Sequence, residues 1–403
     1  MTAAGRVGEA PHKPVASTAG SSPHAVNLWA LVGKPGYPAV MPTAQLDALV
    51  DEARATNTST LTVMRGGEIV VDEVLDGRGD RPIETMSVTK AVLSLVVGRA
   101  VTLGHLPGAD VPMSEFFPEW RQGRKRDVTL RHLMTHTSGL QNVPMAPAEI
   151  YPSPDFVQLA LCAELEHAPG SVFAYNNKAA NLICGLLERA TGQQADDFAR
   201  AELFGPLGIE DVYWIRDKTE TPHGMSGLGL RARDLARLGQ LALDRGEAGG
   251  QGLISREWME ESTRPATPTF SRIGLLWWMW HEWLRYEIRA EHVERLREAG
   301  ATPEQVSTLS ELTGAYDRHA LWEAMQARSF SPLNLPAGVE WMEETLGSRV
   351  GFLHDGHLGQ YVAAHREAGI VAVRQIAWDH PEAKSPRSGF ASFPDRLLPL
   401  AAP

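Results

Sequence analysis

Strand-like segments lie near both ends of this chain, and a long helix-like stretch separates them. Near the start, residues 59–64 and 68–74 are rich in β-branched side chains and flank Gly66-Gly67, which predicts a β-hairpin. Short apolar runs return late in the chain, at 274–280, 350–353, 361–364 and 369–375. We therefore expect one antiparallel sheet that is built from both chain ends.

The stretch between these segments has mainly helical periodicity up to about residue 245. Residues 86–97 are apolar on nearly all sides, which is typical of a buried helix. Other helices are expected from about residue 45, over 178–191 and over 232–244. The expected fold class is thus α+β, with the antiparallel sheet packed against helices and a mainly helical lobe in the middle of the chain.

A charged segment from 283 to about 345 interrupts the second group of strands. Its residues 291–298 and 303–326 have helical periodicity. We predict that this segment is an inserted helical cap.

Composition narrows the partners that this chain can have. Its 403 residues suffice for a full-sized core, and the formal net charge is −11 with no dense run of Lys or Arg. This charge argues against a nucleic-acid partner, which favours a basic surface.

Neither the cysteines nor the apolar segments indicate export or membrane insertion. Cys162 and Cys184 each lie in an apolar stretch, and we expect two small buried side chains rather than a disulfide or metal ligands. Residues 1–25 lack the apolar core of a signal peptide, and 91–103 is too short to span a bilayer. We expect a cytoplasmic protein with a flexible N-terminal arm and no membrane association.

Ser87-Val88-Thr89-Lys90 opens the predicted buried helix. Side chains three residues apart lie on one helix face, so the Ser87 hydroxyl and the Lys90 amine are expected within reach of each other. Burial lowers the pKa of an amine, which could then act as the base that a serine nucleophile needs. The alternative is a serine that caps the helix, followed by a solvated lysine.

A second motif, Tyr175-Asn176-Asn177, opens the predicted helix over 178–191. A tyrosine near a lysine cation ionises more readily and can relay a proton, and the Asn177 amide oxygen could hold Lys90. The alternative is an amphipathic tyrosine followed by an asparagine cap.

A third motif, His354-Asp355-Gly356-His357-Leu358-Gly359, is expected at the start of a late strand. Glycine there allows a substrate to approach the backbone closely, and the following N–H could bind an oxyanion. Taken alone, the motif is a glycine-rich turn with two histidines.

Together the three motifs resemble those of the serine β-lactamase/penicillin-binding-protein superfamily, nearest its class C-like esterase branch. That family carries Ser-x-x-Lys, Tyr-x-Asn and a third box of Lys-Thr-Gly or His-x-Gly type. Residues 128–140 are similar to the segment beside its active site, and 227–239 to its Gly-Gly turn and Asp-Leu-Ala helix. The hairpin and Gly359-Gln360-Tyr361 are similar to 6-aminohexanoate-dimer hydrolases. The resemblance covers roughly 45–280 and 347–380.

The resemblance implies a role for each matching residue. Ser87 would be the acylated nucleophile, Lys90 its general base and Tyr175 the proton relay, while the backbone N–H groups of Ser87 and His357 would form the oxyanion hole. The expected supporting or substrate-binding residues are Asn177, His354, Asp355, Gly356 and Trp278. Neither a cofactor nor a metal is expected.

The resemblance also implies a division of the chain. Beyond an arm over 1–40, residues 41–403 would form a single β-lactamase-like catalytic domain. Its α/β part would comprise about 41–86 and 250–403, its helical lobe about 87–249 and its cap about 283–345.

Rival motifs are weaker. His132 and His136 have i, i+4 spacing without the glutamate of a metalloprotease helix, and no Gly-x-Ser-x-Gly elbow is present. The tryptophans in the late part of the chain are typical of core packing but are also candidate walls of an acyl pocket, namely Trp277, Trp278, Trp280 and Trp283.

Asp355 restricts the class of substrate that we expect. β-Lactam-processing relatives place a hydroxyl there, and a carboxylate should repel the substrate carboxylate, so we expect poor β-lactam turnover. The expected function is hydrolysis of a small-molecule ester or amide. One alternative is a biosynthetic acyltransferase or transamidase in which the cap excludes water and an amine or alcohol accepts the acyl group. The other is a non-catalytic binding protein with this fold.

Overall fold

The computed structural model describes residues 43–143, 145–336 and 338–401. The predicted arm over 1–40 lies outside the described residues. Within these ranges, no helix is both long and apolar enough to cross a bilayer.

A six-stranded antiparallel sheet, in the order β2-β1-β14-β13-β12-β8, forms the centre of the molecule. The predicted sheet from both chain ends is therefore confirmed. The strands are β1 Thr60–Arg65, β2 Glu68–Val74, β3 Ile83–Glu84, β4 Tyr213–Trp214, β5 Leu228–Leu230, β6 Glu247–Ala248, β7 Gln251–Gly252, β8 Trp278–His281, β9 Leu284–Ile288, β10 Gly314–Asp317, β11 Glu343–Leu346, β12 Arg349–Gly356, β13 Gln360–His365 and β14 Ile370–Gln375.

Helices cover both faces of the sheet. They are α1 Thr43–Ala55, α2 Thr89–Thr102, α3 Leu130–Met134, α4 Ala146–Glu149, α5 Phe156–Cys162, α6 Asn177–Thr191, α7 Ala195–Ala199, α8 Ala232–Leu243, α9 Arg256–Ser262, α10 Ala290–Glu298, α11 Pro303–Glu311, α12 Arg318–Gln326 and α13 Phe393–Ala401.

Alternation along the strands divides the core between the two faces. In β14, Val371 and Val373 belong to the large core shared with the helical lobe, whereas Ile370 and Ala372 belong to the core under α1 and α13. Successive strand residues point to opposite faces, so a run of apolar residues fits a strand that is covered on both sides. This explains why 370–373 is apolar throughout.

Helix α2 lies at the centre of the large core. Most of its side chains are buried, including Lys90, so the predicted buried helix is confirmed. On the sheet, α8 packs so closely that a Cβ on Gly239 would lie 2.7 Å from Val371 Cγ1. The helical lobe and the sheet are thereby joined through one continuous core.

The middle of the chain is less purely helical than predicted. It also contains a small antiparallel sheet in the order β3-β5-β4. Its strands have two or three residues each, which is too short to produce a period-two pattern in the sequence. This small sheet matters because β3 leads directly into Ser87.

The insertion is not a purely helical cap, so that prediction is wrong. Helices α10, α11 and α12 pack on an antiparallel sheet in the order β10-β9-β11, around an apolar core of their own. The strand β9 does alternate between buried and exposed residues, but the charged helical pattern that follows it obscured this signal. The insertion leaves the main sheet as a ribbon, in which Gly347 N–H donates to Trp283 O (3.0 Å) and Glu282 N–H to Ser348 O (2.9 Å).

The two cysteines differ in their surroundings. Cys184 is buried in α6, as predicted, but Cys162 is exposed at the end of α5, and neither forms a disulfide. The prediction was wrong for Cys162 because α5 turns this residue of its last turn away from the core.

Candidate active site

Ser87 stands at a constrained turn between the small sheet and α2. After β3, residues Met86–Val88 form one 3-10 turn that continues into α2. Thr85 is buried and its hydroxyl donates to Leu228 O (2.9 Å), while Met86 has a φ of 49°. A non-glycine residue with positive φ is strained, so packing on both sides must hold this turn. The N–H of Ser87 is an early amide of the helical turn and has no partner within it.

Lys90 reaches Ser87 from the next turn, as the spacing predicts. Its Nζ lies 3.2 Å from Ser87 Oγ and donates to Met225 O at 2.7 Å. The side chain is fully buried, and burial lowers the pKa of Lys90 to about 7, although the charge of Asp355 opposes this shift. A substantial fraction of this amine is therefore neutral near pH 7.

Asn177 does not make its predicted contact with Lys90. The amide oxygen of Asn177 is buried without a hydrogen-bond partner, and Met225 O accepts from the amine instead. The residue that caps α6 is Asn176, whose side chain accepts from Ala179 N–H (3.2 Å). Asn177 is thus the first residue of the helix.

Tyr175 donates a hydrogen bond from its hydroxyl to Ser87 Oγ at 2.9 Å. Lys90 Nζ lies 4.9 Å from the centroid of the Tyr175 ring. Contrary to the prediction of easier ionisation, the pKa of Tyr175 is raised, because burial disfavours the phenolate and the charge of Asp355 adds to this effect. Tyr175 is therefore a neutral proton donor in the resting site.

The third motif occupies the end of β12 and the following 3-10 turn, His357–Gly359, rather than the start of a strand. A Cβ on Gly356 would lie 2.9 Å from Thr85 O and 3.0 Å from Ser87 N, so only glycine allows this approach. The backbone that leads into His357 therefore lies directly against the backbone of Ser87. This arrangement brings together the two segments that supply the predicted oxyanion-hole amides.

Two buried imidazoles lie beside these groups. His354 Nδ1 is 2.7 Å from Asp355 O, and His136 Nδ1 accepts from Asn176 N–H (3.2 Å). Burial and the nearby Lys90 lower the pKa of His354 to about 3 and hold the pKa of His136 well below its usual range. Both rings are thus neutral. The ring of His136 is centred 4.5 Å from that of Tyr175, a contact that the zinc-helix interpretation of His136 did not anticipate.

Asp355 keeps an exposed surface although protein surrounds its carboxyl group. Loss of water raises the pKa of its carboxyl, while Arg318, Lys90 and Arg272 oppose this shift. Among the described residues, none forms an ion pair with Asp355 within 4.0 Å. Arg318 belongs to α12 of the insertion. No sequence pattern predicted that its charge would act on the third motif.

The four tryptophans have separate roles. Trp277 and Trp280 are buried in the core, and Trp283 is exposed where the insertion begins. Trp278 is half-buried and stacks on Tyr175, with ring centroids 6.2 Å apart. Only Trp278 of this group therefore borders Tyr175, where Phe173 and Phe270 extend an aromatic wall.

The insertion touches segments next to the site at three places. A Cβ on Gly338 would lie 3.2 Å from Val172, near Tyr175 in sequence. Arg272 Nε donates to Glu344 at 2.6 Å, and Trp322 packs near Gly389. The insertion thus contacts three chain segments that adjoin the surroundings of Ser87.

Comparison with known proteins places this geometry in context. Residues 46–389 match the family model described as Beta-lactamase. Esterase EstB of Burkholderia gladioli is 32% identical over 208 residues, which cover 44% of this chain and 53% of that protein. The 6-aminohexanoate-dimer hydrolase of Paenarthrobacter ureafaciens is 24% identical over 252 residues, which cover 54% and 62%. The chain therefore spans little more than half the length of these relatives.

Two further matches are a curated protein and a solved structure. Monacolin J acid methylbutanoyltransferase of Aspergillus terreus is 33% identical over 159 residues, 33% of this chain and 38% of that one. The solved structure of EstCE1, a hydrolase with promiscuous acyltransferase activity, superposes with a TM-score of 0.57 at 15% identity and covers 88% of this chain and 98% of its own. These matches confirm the resemblance and the fold class that the three motifs predicted.

Proposed function

Since the chain belongs to the beta-lactamase family, we propose that it is a serine-dependent acyl-transfer enzyme that forms an acyl-enzyme on Ser87 from an ester or amide. One observation carries this proposal. Ser87 Oγ lies within hydrogen-bond distance of both a neutral phenol, Tyr175 (2.9 Å), and a buried amine, Lys90 (3.2 Å). A nucleophile with a base and an acid in contact is the arrangement that acyl transfer requires.

In the first step, the neutral Lys90 amine takes the hydroxyl proton of Ser87 while Oγ attacks the substrate carbonyl. Lowering the pKa of Lys90 to about 7 matches this base to neutral pH. The new C–O bond converts the carbonyl oxygen into an oxyanion. The N–H groups of Ser87 and His357 would hold that charge, as favoured by the contact between Gly356 and the nucleophile's backbone.

The tetrahedral intermediate then collapses by breaking the bond to the leaving group. Tyr175 donates its proton to the departing oxygen or nitrogen and recovers one from the Lys90 ammonium, whose Nζ lies 4.9 Å from the ring centroid. A phenol with a raised pKa suits this role because it remains protonated until the leaving group needs a proton. An incoming water, alcohol or amine reverses the sequence and releases the acyl group.

The substrate is proposed to be an ester or amide with an apolar acyl group. Trp278, Phe173 and Phe270 supply apolar surface beside Tyr175. Asp355 is free of ion pairs among the described residues, and its carboxylate disfavours the carboxylate of a β-lactam. We therefore propose poor β-lactam turnover. Chromogenic cephalosporin hydrolysis at rates that match simple esters would contradict this point.

Transfer of the acyl group from Ser87 to an amine or alcohol is the second candidate function. The insertion contacts three segments around the site, and one relative bears the name of a methylbutanoyltransferase. Closure of the site from water would favour an organic acceptor over hydrolysis.

The test uses wild type and Ser87→Ala with a series of p-nitrophenyl esters, with and without amine acceptors. We expect burst release of p-nitrophenol and an acyl adduct in the intact mass of the wild type only. Partition to amine at millimolar concentration would identify a transferase. Absence of both adduct and turnover would favour the non-catalytic binding protein instead.

A further inference from the structure

Arg374, in β14, donates hydrogen bonds to four partners at one end of the main sheet. Its Nε donates to Thr58 Oγ1 (2.9 Å) and its Nη2 to Thr56 O (2.7 Å). Its Nη1 donates to Leu358 O (3.0 Å) and to Gly359 O (2.6 Å). A single guanidinium therefore joins the segment before β1 to the turn that follows β12.

This cation is fully buried without a neutralising carboxylate. Arg374 has a relative exposure of 0%, and among the described residues no acidic side chain pairs with it. Burial lowers its pKa to about 9. Removal of an unpaired charge from water costs several kcal/mol, so its four neutral acceptors must offset a large penalty. An apolar side chain would avoid that penalty. This indicates that the hydrogen bonds of the guanidinium have a role other than stabilising the fold.

The turn that Arg374 contacts is conformationally strained. Leu358 and Gly359 both adopt the left-handed region, with φ of 67° and 81°. This conformation costs a non-glycine residue such as Leu358 roughly 1–2 kcal/mol. At Gly359, a Cβ would lie 2.4 Å from Arg374 Nη1 and 2.3 Å from Gly389 O, so the turn is packed tightly as well as strained.

We propose that Arg374 is a positioning residue for the oxyanion hole. It fixes the carbonyls of Leu358 and Gly359. It thereby holds the short turn His357–Gly359 and orients the Gly356–His357 peptide at its start, which carries the N–H of His357. An oxyanion donor must lie about 2.7–3.1 Å from the developing charge, and a misplacement of about 1 Å can lower the rate about 100-fold. This inference rests on the proposed function of Ser87.

The test compares Arg374→Met with wild type on a p-nitrophenyl ester and on the thionoester in which sulfur replaces the carbonyl oxygen. Sulfur accepts hydrogen bonds poorly, so a thionoester depends little on the oxyanion hole. We expect kcat/KM for the oxygen ester to fall about 10–100-fold through kcat, with KM within about twofold. The thionoester should lose much less, and affinity for a boronic acid inhibitor should fall in parallel with the ester rate.

Arg366→Met is the matched control. Arg366 is half-buried at the opposite end of β13 and donates to Thr263 O (3.0 Å) and Thr263 Oγ1 (2.6 Å), remote from the strained turn. Its loss should leave the ratio of ester to thionoester rates unchanged. If Arg374→Met does not fold, Thr58→Val removes the acceptor of Nε, together with a longer hydroxyl contact to Thr56 (3.5 Å). It should shift the same ratio in the same direction by a smaller factor.

Each outcome is decisive. Equal losses on both substrates, or an unchanged ester rate in the variant that folds, would overturn the positioning role while wild type still acylates Ser87. No acyl adduct on wild type would instead overturn the proposed function and the inference with it.

Discussion

Lys90 is the residue whose surroundings most alter its chemistry. Its amine acts as a base only when it is deprotonated, and burial lowers its pKa to about 7. We therefore expect kcat/KM to rise as the pH increases through about 7 and then to level off. Lys90→Met should lower kcat/KM about 100–10,000-fold and abolish this limb of the pH–rate profile. A profile that is flat between pH 5.5 and 8.5 in wild type would argue against Lys90 as the base.

The same burial of Lys90 lowers the free energy of unfolding of the protein where the amine is charged. Its pKa is about 7 in the folded protein and 10.5 in the unfolded chain, so the unfolded state binds more protons between these values. The free energy of unfolding of wild type should consequently rise with pH from about 7 to 10.5. Lys90→Met should lack this rise and be about 1–3 kcal/mol more stable at pH 6, by urea unfolding. Parallel stability curves for the two proteins would refute the linkage.

Tyr175 should matter most when the leaving group is poor. Because p-nitrophenolate departs without a proton, Tyr175→Phe should slow p-nitrophenyl ester cleavage only modestly. An anilide or alkyl ester needs the proton that Tyr175 gives, and its kcat/KM should fall about 100–10,000-fold. Tyr361→Phe provides a control, since Tyr361 is a buried tyrosine on the opposite side of the sheet core. Equal losses on both substrates would assign Tyr175 a structural role.

Residues fixed by local geometry were predictable, and residues fixed by tertiary contacts were not. The i, i+3 spacing on a helix sufficed to predict that Lys90 reaches Ser87. The predicted contact of Asn177 with Lys90 failed because the amine donates instead to the backbone carbonyl of Met225, 135 residues away, which no local pattern indicates. Arg374 was missed because two of its partners, Thr56 and Thr58, lie more than 300 residues away, and the other two are backbone carbonyls of a turn. Such contacts leave no pattern in the sequence.

At the level of elements, the insertion is the most separable part of the molecule. It has its own core and joins the main sheet through a ribbon in which Gly347 N–H bonds Trp283 O. Replacing residues 284–346 by a short turn should therefore leave the sheet intact. If the insertion excludes water, the ratio of hydrolysis to amine transfer should rise in the deletion variant. This ratio is measured from the amounts of hydrolysis product and amine-transfer product at a fixed amine concentration.

A milder variant serves as the control for this deletion. Glu344→Gln weakens only the contact with Arg272 that joins the insertion to the segment before β8. It should shift partition in the same direction by a smaller factor, without change in the unfolding transition. An unchanged ratio in both variants would limit the insertion to a role outside the acyl-transfer step.

The first and last helices of the described residues, α1 and α13, pack together on one face of the main sheet. Leu397 of α13 is fully buried in the core that α1, α13 and one sheet face share. Leu397→Ala should lower the free energy of unfolding by about 2–5 kcal/mol, through lost burial and the cavity that remains. The kcat at 25 °C should stay close to wild type, because Ser87 and α2 lie on the other face of the sheet. A matching change at the exposed Leu103 should have almost no effect.

The overall architecture could be predicted because its main strands and helices form long segments with regular hydrophobic patterns. Mainly apolar runs such as 369–375 predicted the main sheet, and the buried helix that begins after Ser87 predicted the helical lobe. The small sheet of β3, β4 and β5 and the strands of the insertion are short, and their pairing depends on tertiary contacts. They were therefore not predictable from periodicity.

The pairing of β1 with β14 places a constraint on biosynthesis. Residues 60–65 leave the ribosome early, yet their neighbours in the sheet, 370–375, emerge only after some 300 further residues. During that interval the hairpin of β1 and β2 exposes an unpaired edge, while α2 to α8 can already collapse around their local contacts. Nascent chains halted before residue 370 should thus resist proteolysis in the helical lobe and remain sensitive at the hairpin.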